Sequence, residues 1–243
     1  MENPVYISLS RMVALQRQMD VVANNVANAT STGFKREHVM FSEYLQRPSM
    51  GERVSMVRDR ATTRDMSPGP MSATSNPLDL AIRGKGYFVV DTLNGPHYTR
   101  AGRFQLDPKG QIVDNNGLPV LGTDMKPITL QNGANEVRIQ GDGSVFTNLD
   151  PKTPVGKINV VTFDKEQQMS EVGSGLFLTD EKPQPAPKDT RLAQGVIEES
   201  NVQPVVEMTN MMNVLRQYQG IEKIIDSEHK SQQNMIQKLG RQA

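Results

Sequence analysis

The chain has no cysteine and no tryptophan, and only 5% of its residues are aromatic. The first absence removes disulfides, thiolate metal sites and thiol nucleophiles together, and leaves the redox compartment open. With 36% hydrophobic residues and a mean hydropathy of −0.51, the composition is lean for a single globule of 243 residues. Net charge is missing as well, since 27 Lys and Arg balance 27 Asp and Glu. No field therefore draws the chain onto a phosphate backbone or an anionic membrane, and nucleic acid is not an expected partner. No run approaches the roughly 18 apolar residues of a membrane span. No basic region followed by an apolar stretch opens the sequence, so neither a span nor a cleavable signal is expected.

What apolar material there is gathers at the two ends. Val5, Met12, Met19 and Val26 recur every seven residues, and Ser8, Leu15, Val22 and Ala29 form a second row three positions on. That a/d spacing predicts a helix over residues 3–29 with one apolar seam, interrupted only at Ser8. Thr30, Ser31 and Thr32 stop it, with Gly33 as a left-handed C-terminal cap. Asn24, Asn25 and Asn28 are poor helix formers, so this helix needs a partner to persist. A further row, Ile7, Ala14 and Val21, lies roughly opposite the seam and asks for contacts on a second side. One partner is expected to be the C-terminal helix of the same chain and the other a neighbouring molecule.

The C-terminal helix is entered through Pro204, whose fixed φ suits a first turn. Met211, Val214, Tyr218, Ile221, Ile225, Met235 and Leu239 fill successive a/d places, with Glu228 and Gln232 the exceptions. Such a helix is roughly 54 Å long, whereas a compact globule of this size spans roughly 46 Å, so it is expected to project with a seam that needs cover. Periodicity alone equally allows two amphipathic helices packed on one sheet.

Between the helices the grammar changes to short β-branched or aromatic runs, at residues 87–90, 97–106, 137–140, 158–163 and 176–178. Gly84-Lys85-Gly86, Asn94-Gly95, Asp107-Pro108-Lys109-Gly110, Asn115-Asn116-Gly117 and Asp142-Gly143 punctuate them. The fold class expected is therefore α+β: a discontinuous terminal α-helical coiled-coil domain, plus a central antiparallel all-β domain. The boundaries expected are an N-terminal helix at 1–35, an extended connector at 36–75, a β-rich domain at 76–198 and the C-terminal helix at 199–243. The connector is assigned because residues 50–75 are rich in Arg, Ser, Thr and Pro without a sustained period.

Chemistry-bearing motifs are absent. Gly84-Lys85-Gly86 precedes a strand-like run and lacks the GK[ST] ending of a phosphate loop, so a hairpin turn is expected. The Asp/Asn-Gly segments at 114–117 and 142–144 lack the later bidentate Glu of a calcium loop. His38, His97 and His229 stand in three different segments with no zinc spacing, and no GxSxG elbow is present. No metal, cofactor or catalytic residue is expected. Asn28-Ala29-Thr30 matches a glycosylation sequon, and its place in a helix makes chance the better account.

Three segments carry a family resemblance. LSRMVALQRQMDVVANNVANATSTGF at 9–34 contains ANNVAN followed by Thr32-Gly33-Phe34; NPLDLAIRGKGYFVV at 76–90 is followed by HYTRAGRF and DPKGQIVDNNGLPVLG; and ESNVQPVVEMTNMMNVLRQYQGIEKII stands at 199–225. Together they resemble the rod, hook and hook-associated axial proteins of the bacterial flagellum, with 133–191 the least specific part. The length, the opening ENPVYISLSR and QPVVEMTNM at 203–211 favour a proximal-rod member over a distal-rod or hook type.

The resemblance implies a structural, non-enzymatic subunit of the basal-body rod, delivered by the flagellar export apparatus without a cleaved signal. Its partners would be copies of itself and other rod proteins, with no nucleic acid and no small-molecule substrate. The seam residues Val5, Met12, Leu15, Met19, Val22 and Val26 would then be assembly surfaces. So would Met208, Met211, Leu215, Tyr218, Ile221, Ile225 and Leu239. Asn24, Asn25 and Asn28 would hydrogen-bond between subunits and fix register, as a buried Asn does in coiled coils. Met12, Met19, Met208, Met211, Met212 and Met235 offer adaptable packing to non-identical neighbours, or else ordinary core filling. Two competing functions are a transient export-linked cap and a glycan-cleaving factor. The latter needs a carboxylate pair that no motif picks out.

Overall fold

The computed structural model describes residues 3–46, 54–130 and 136–240. The chain divides into two units. One is built from helix α1 (Asn3–Ala27), strands β1 (Glu37–Gln46) and β2 (Val54–Arg64), and helix α2 (Pro204–Gly240). The other comprises Thr30–Lys35 and Met66–Asn201 and is almost entirely β.

In the helical unit, α1 packs on α2 and also on both strands of the β1–β2 ribbon. Leu15, Val214 and Ile221 form the buried centre of the helix pair, flanked by Met12, Met19, Tyr218 and Ile225. Gln18 and Val22, late in α1, share a cavity wall with Glu207 and Asn210, early in α2, so the helices run antiparallel. At 1.5 Å per residue α1 is roughly 37 Å long and α2 about 55 Å. Among the described side chains of the expected α2 seam, Ile225 and Glu228 are half-buried and Met235 is exposed.

The β-rich unit centres on a six-stranded antiparallel sheet. Its order is Ser170–Gly173, Leu176–Leu178, Gly95–Thr99, Tyr87–Thr92, Val160–Thr162, Gln184–Pro185. Residues 87–90 are buried without alternation because the strand separates two cores. Phe88 and Val90 join Leu80, Phe104, Ile112 and Val120 on one side, where the Phe88 and Phe104 rings meet edge to face at 5.1 Å. Tyr87 and Val89 join Tyr98, Phe163 and Phe177 on the other. Met71–Ala73 pairs with Val196–Glu198, and Leu80–Arg83 with Arg191–Gln194, bringing the two chain ends of the unit together.

Several expectations are corrected. Residues 36–75 are no simple connector, because β1 and β2 pair antiparallel from Glu37↔Arg64 to Gln46↔Val54. The ladder has a register shift after Met40, where Arg60 is the extra residue. The two strands are consecutive, with paired positions 8 to 27 residues apart, but neither carries the alternation or the turn signal by which composition marks a strand pair. The β-rich unit begins at Met66 and also recruits Thr30–Lys35, assigned above to the helical end. The run 97–106 splits into Gly95–Thr99 and Phe104–Leu106. Gly84-Lys85-Gly86 is a turn but not a hairpin, since the strands either side of it belong to different sheets. α1 ends at Ala27, so Gly33 does not cap it; its φ of +72° serves the β-rich unit instead.

Candidate assembly interface

The helical unit sorts the seam residues into two sets. Leu15, Val22 and Ile221 are buried and Met12, Met19, Val26, Met211, Tyr218 and Ile225 half-buried, all within a single chain. Burial of this kind holds α1 to α2, each fully covered aliphatic side chain contributing about 1.5–3 kcal/mol. Val5 and Leu239 lie in the two helices, but their side chains fall outside the described residues.

The second apolar row of α1 finds its partner inside the chain. Ala14 and Val21 are 8% and 6% exposed, on a helix that packs against the β1–β2 ribbon as well as α2. The neighbouring molecule expected for this row is replaced by the segment read as a connector. Ile7, nearer the N-terminus, remains 40% exposed.

The Asn residues are likewise engaged within the chain. Asn25, 1% exposed, donates from Nδ2 to the Glu37 carbonyl and accepts the Glu37 N–H at Oδ1, both at 2.9 Å. Its amide thus pairs with the start of β1 as a neighbouring strand would. Asn25 thereby ties the start of β1 to α1 within the chain, and this takes up the amide that the expected bond between subunits would have required. The Glu37 carboxylate in turn accepts from Arg64 Nε at 3.2 Å and Asn24 Nδ2 at 3.3 Å. Asn28 Nδ2 turns back to Asn24 Oδ1 at 2.8 Å. Arg36 and the buried Glu207 of α2 form an ion pair beside a cavity of about 180 Å³. This polar layer joins both helices and both strands.

What remains uncovered is apolar and ordered. On α2, Val205, Met208, Met212 and Leu215 are 43% or more exposed, at spacings of three, four and three. On α1, Tyr6, Leu9 and Val13 are exposed at spacings of three and four. At 3.6 residues per turn each set forms one stripe, about a third of a turn from the buried seam of its own helix. Met208 and Leu215 stand off the a/d spacing and are expected as assembly surfaces only from the family resemblance; Tyr6, Leu9, Val13, Val205 and Met212 become separable from the intrachain seam only through burial. Contiguous exposed apolar stripes mark interaction surfaces.

Among the described residues no three His, Asp or Glu side chains converge as a metal site would require. Asp142 and Asp150 have carboxyls held below the usual range by hydrogen bonds within their own turns, from Ser144 and from Thr153 respectively. Both are exposed turn residues of the β-rich unit.

Three family models match this chain. Residues 5–35 match the flagella basal body rod protein family, residues 81–147 the D1 domain of the flagellar hook protein FlgE/F/G, and residues 193–238 the C-terminal part of flagellar basal body rod FlgEFG proteins. The chain is 36% identical to the flagellar basal-body rod protein FlgF of Caulobacter vibrioides over 247 aligned positions, covering 99% of each. The chain belongs to the flagellar basal-body rod protein family. Other rod relatives are FlgF of Salmonella typhimurium, 32% identical over 93% of this chain and 94% of that protein, and FlgG of Bacillus subtilis, 30% identical over 97% and 98%. As a rod family member it is a structural protein of the flagellar basal body and not an enzyme. The models at 5–35 and 193–238 fall on the two helices that carry the exposed stripes.

Proposed function

We propose that this protein is a structural subunit of the proximal flagellar rod, of the FlgF type, that assembles with its own copies and with other rod proteins through the exposed stripes of α1 and α2. The observation that carries the reading is the split between two apolar faces on each helix. One face closes the helix pair within the chain, and Val205, Met208, Met212 and Leu215, with Tyr6, Leu9 and Val13, stay uncovered. A self-sufficient monomer has no use for them. The exposed methionines suit packing against chemically different neighbours. Coiled-coil-like packing of α1 with α2, and arrival through the flagellar export apparatus, belong to the same reading.

Fractionation tests it against a transient cap. A structural subunit remains with purified basal bodies after detachment of soluble flagellar components, and a chain found only in the soluble fraction overturns the proposal. Substituting Val13 or Leu215 by Asp is expected to leave the subunit folded and to block its incorporation.

A further inference from the structure

The β-rich unit contains a buried charge cluster that the assembly reading does not use. Glu198 is 1%, Lys35 3% and Arg100 7% exposed. Lys35 Nζ donates to Glu198 Oε1 at 2.6 Å and to the Ser67 carbonyl at 2.9 Å. The Gly69 N–H donates to the same Oε1 at 3.1 Å. Oε2, which has no hydrogen bond among the described residues, faces Arg100 Nε at 3.9 Å.

The backbone repeats the convergence. The Gly33 N–H donates to the Glu198 carbonyl at 2.8 Å, and the Asn201 N–H to the Phe34 carbonyl at 3.4 Å. Asn201 Nδ2 reaches the Ser67 carbonyl at 3.0 Å. Segments around Lys35, Ser67, Arg100 and Glu198, remote in sequence, are fastened at one point.

Each residue of the entering segment meets a specific demand. Gly33 lies with φ +72° against the backbone of the connection between strands Gly95–Thr99 and Phe104–Leu106, where a Cβ would fall 2.5 Å from the Arg100 carbonyl carbon. Only glycine allows both. Phe34 is 7% exposed and supplies apolar burial. Lys35 supplies the cation that a buried carboxylate requires, because desolvated charges are tolerated when paired and hydrogen-bonded.

We infer that the β-rich unit holds a built acceptor site for a glycine-aromatic-lysine segment, filled by the chain's own Gly33-Phe34-Lys35, and that seating this segment closes the terminal strand pair Met71–Ala73 with Val196–Glu198. Glu198 is the keystone, since it belongs to that strand pair and also receives Lys35. The Lys35–Glu198 bond spans 163 positions, so closure waits on a non-local encounter. Holding residues 30–35 elsewhere leaves Glu198 without its closest cation and the strand pair unlocked. The device thus makes closure of the β-rich unit depend on a free segment immediately after α1. It does not rest on the rod assignment.

Native-state hydrogen exchange on the full chain tests it. In the unaltered protein the amides of Gly33, Gly69, Asn201 and strand Val196–Glu198 are expected to exchange through one shared opening, with a common denaturant dependence. Removing one partner of such a pair is expected to raise that opening equilibrium by about 10²–10³-fold, so Lys35→Met should speed exchange at all four sites while the amides of Val89 and Val90 stay protected. Independent exchange of these amides in the unaltered protein overturns the inference whether or not the variant folds. So does a Lys35→Met chain in which Asn201 and Val196–Glu198 exchange at their original rate.

Discussion

Leu215→Asp separates the two apolar faces of α2 more sharply than any other single change. The side chain is 43% exposed in the isolated chain and lies outside the cluster of Leu15, Val214 and Ile221. An exposed helical position of this kind tolerates substitution within about 0.5 kcal/mol, and helix propensity differs by at most about 0.7 kcal/mol, so the monomer should lose less than about 1 kcal/mol. At an interface the same change forfeits the burial of a leucine, about 1–2 kcal/mol for the part now exposed. It also places an unpaired carboxylate where water is excluded, at several kcal/mol more. Association should weaken by well over a hundredfold at each contact, since every 1.4 kcal/mol is a factor of ten. The monomer is checked by urea denaturation followed by far-ultraviolet circular dichroism, and assembly by incorporation of the variant into basal bodies and by motility of a complemented deletion strain. Normal incorporation of a folded Leu215→Asp chain refutes the interface. A large loss of monomer stability refutes the placement of Leu215 on an uncovered face.

Ile221→Ala is the matching control: at 6% exposed within the helix-pair cluster, it should destabilise the helical unit by about 2–4 kcal/mol, seen as a lower urea midpoint. Asn25→Ala removes two hydrogen bonds and leaves the Glu37 backbone groups without them, so a loss of about 2–3 kcal/mol and faster exchange of the Glu37 amide are expected. Gly33→Ala should destabilise the β-rich unit by at least about 2 kcal/mol, since it adds a left-handed conformation to a backbone clash; an unchanged melting temperature would contradict the close approach. Burial raises the Tyr98 phenol above its ordinary 10.0. The folded state therefore holds the proton longer than the unfolded one. The associated stability is complete below about pH 10 and is lost as pH rises through the raised value. Tyr98→Phe should flatten the alkaline fall in stability, measured by urea midpoints between pH 9 and 11 on the order of one unit either side of the phenol's ordinary value.

Elements defined by local periodicity are legible in the sequence. The heptad spacing located α1 and α2, and turn residues such as Asn94-Gly95 and Asp107-Pro108-Lys109-Gly110 marked true hairpins because their backbone demands are met within a few positions. The β1–β2 ribbon was missed because its strands have no shared period and are defined by pairing with one another. The motif glycines had reasons that sequence did not reveal. A Cβ on Gly102, in HYTRAGRF, would fall 1.6 Å from the Leu80 carbonyl oxygen, and Gly33 meets Arg100 in the same way. Both are contacts between distant backbones, invisible to local pattern. Arg100 in that motif and Lys35 after Thr32-Gly33-Phe34 belong to one buried cluster, although neither position alone suggests the other.

The sequence by itself determined that the chain ends in two long helices with apolar seams, that its middle is antiparallel β, and that it carries no catalytic motif. These follow from composition and from periods of two and three and a half residues, which act over short distances. Only the tertiary structure decided which apolar face each helix keeps for its own chain and which it leaves uncovered. It alone turned Asn25 inward to β1 and assigned Gly33, Phe34 and Lys35 to the β-rich unit. Burial and non-local hydrogen bonding are properties of the folded arrangement, and one helical stripe resembles another until its neighbours are in place.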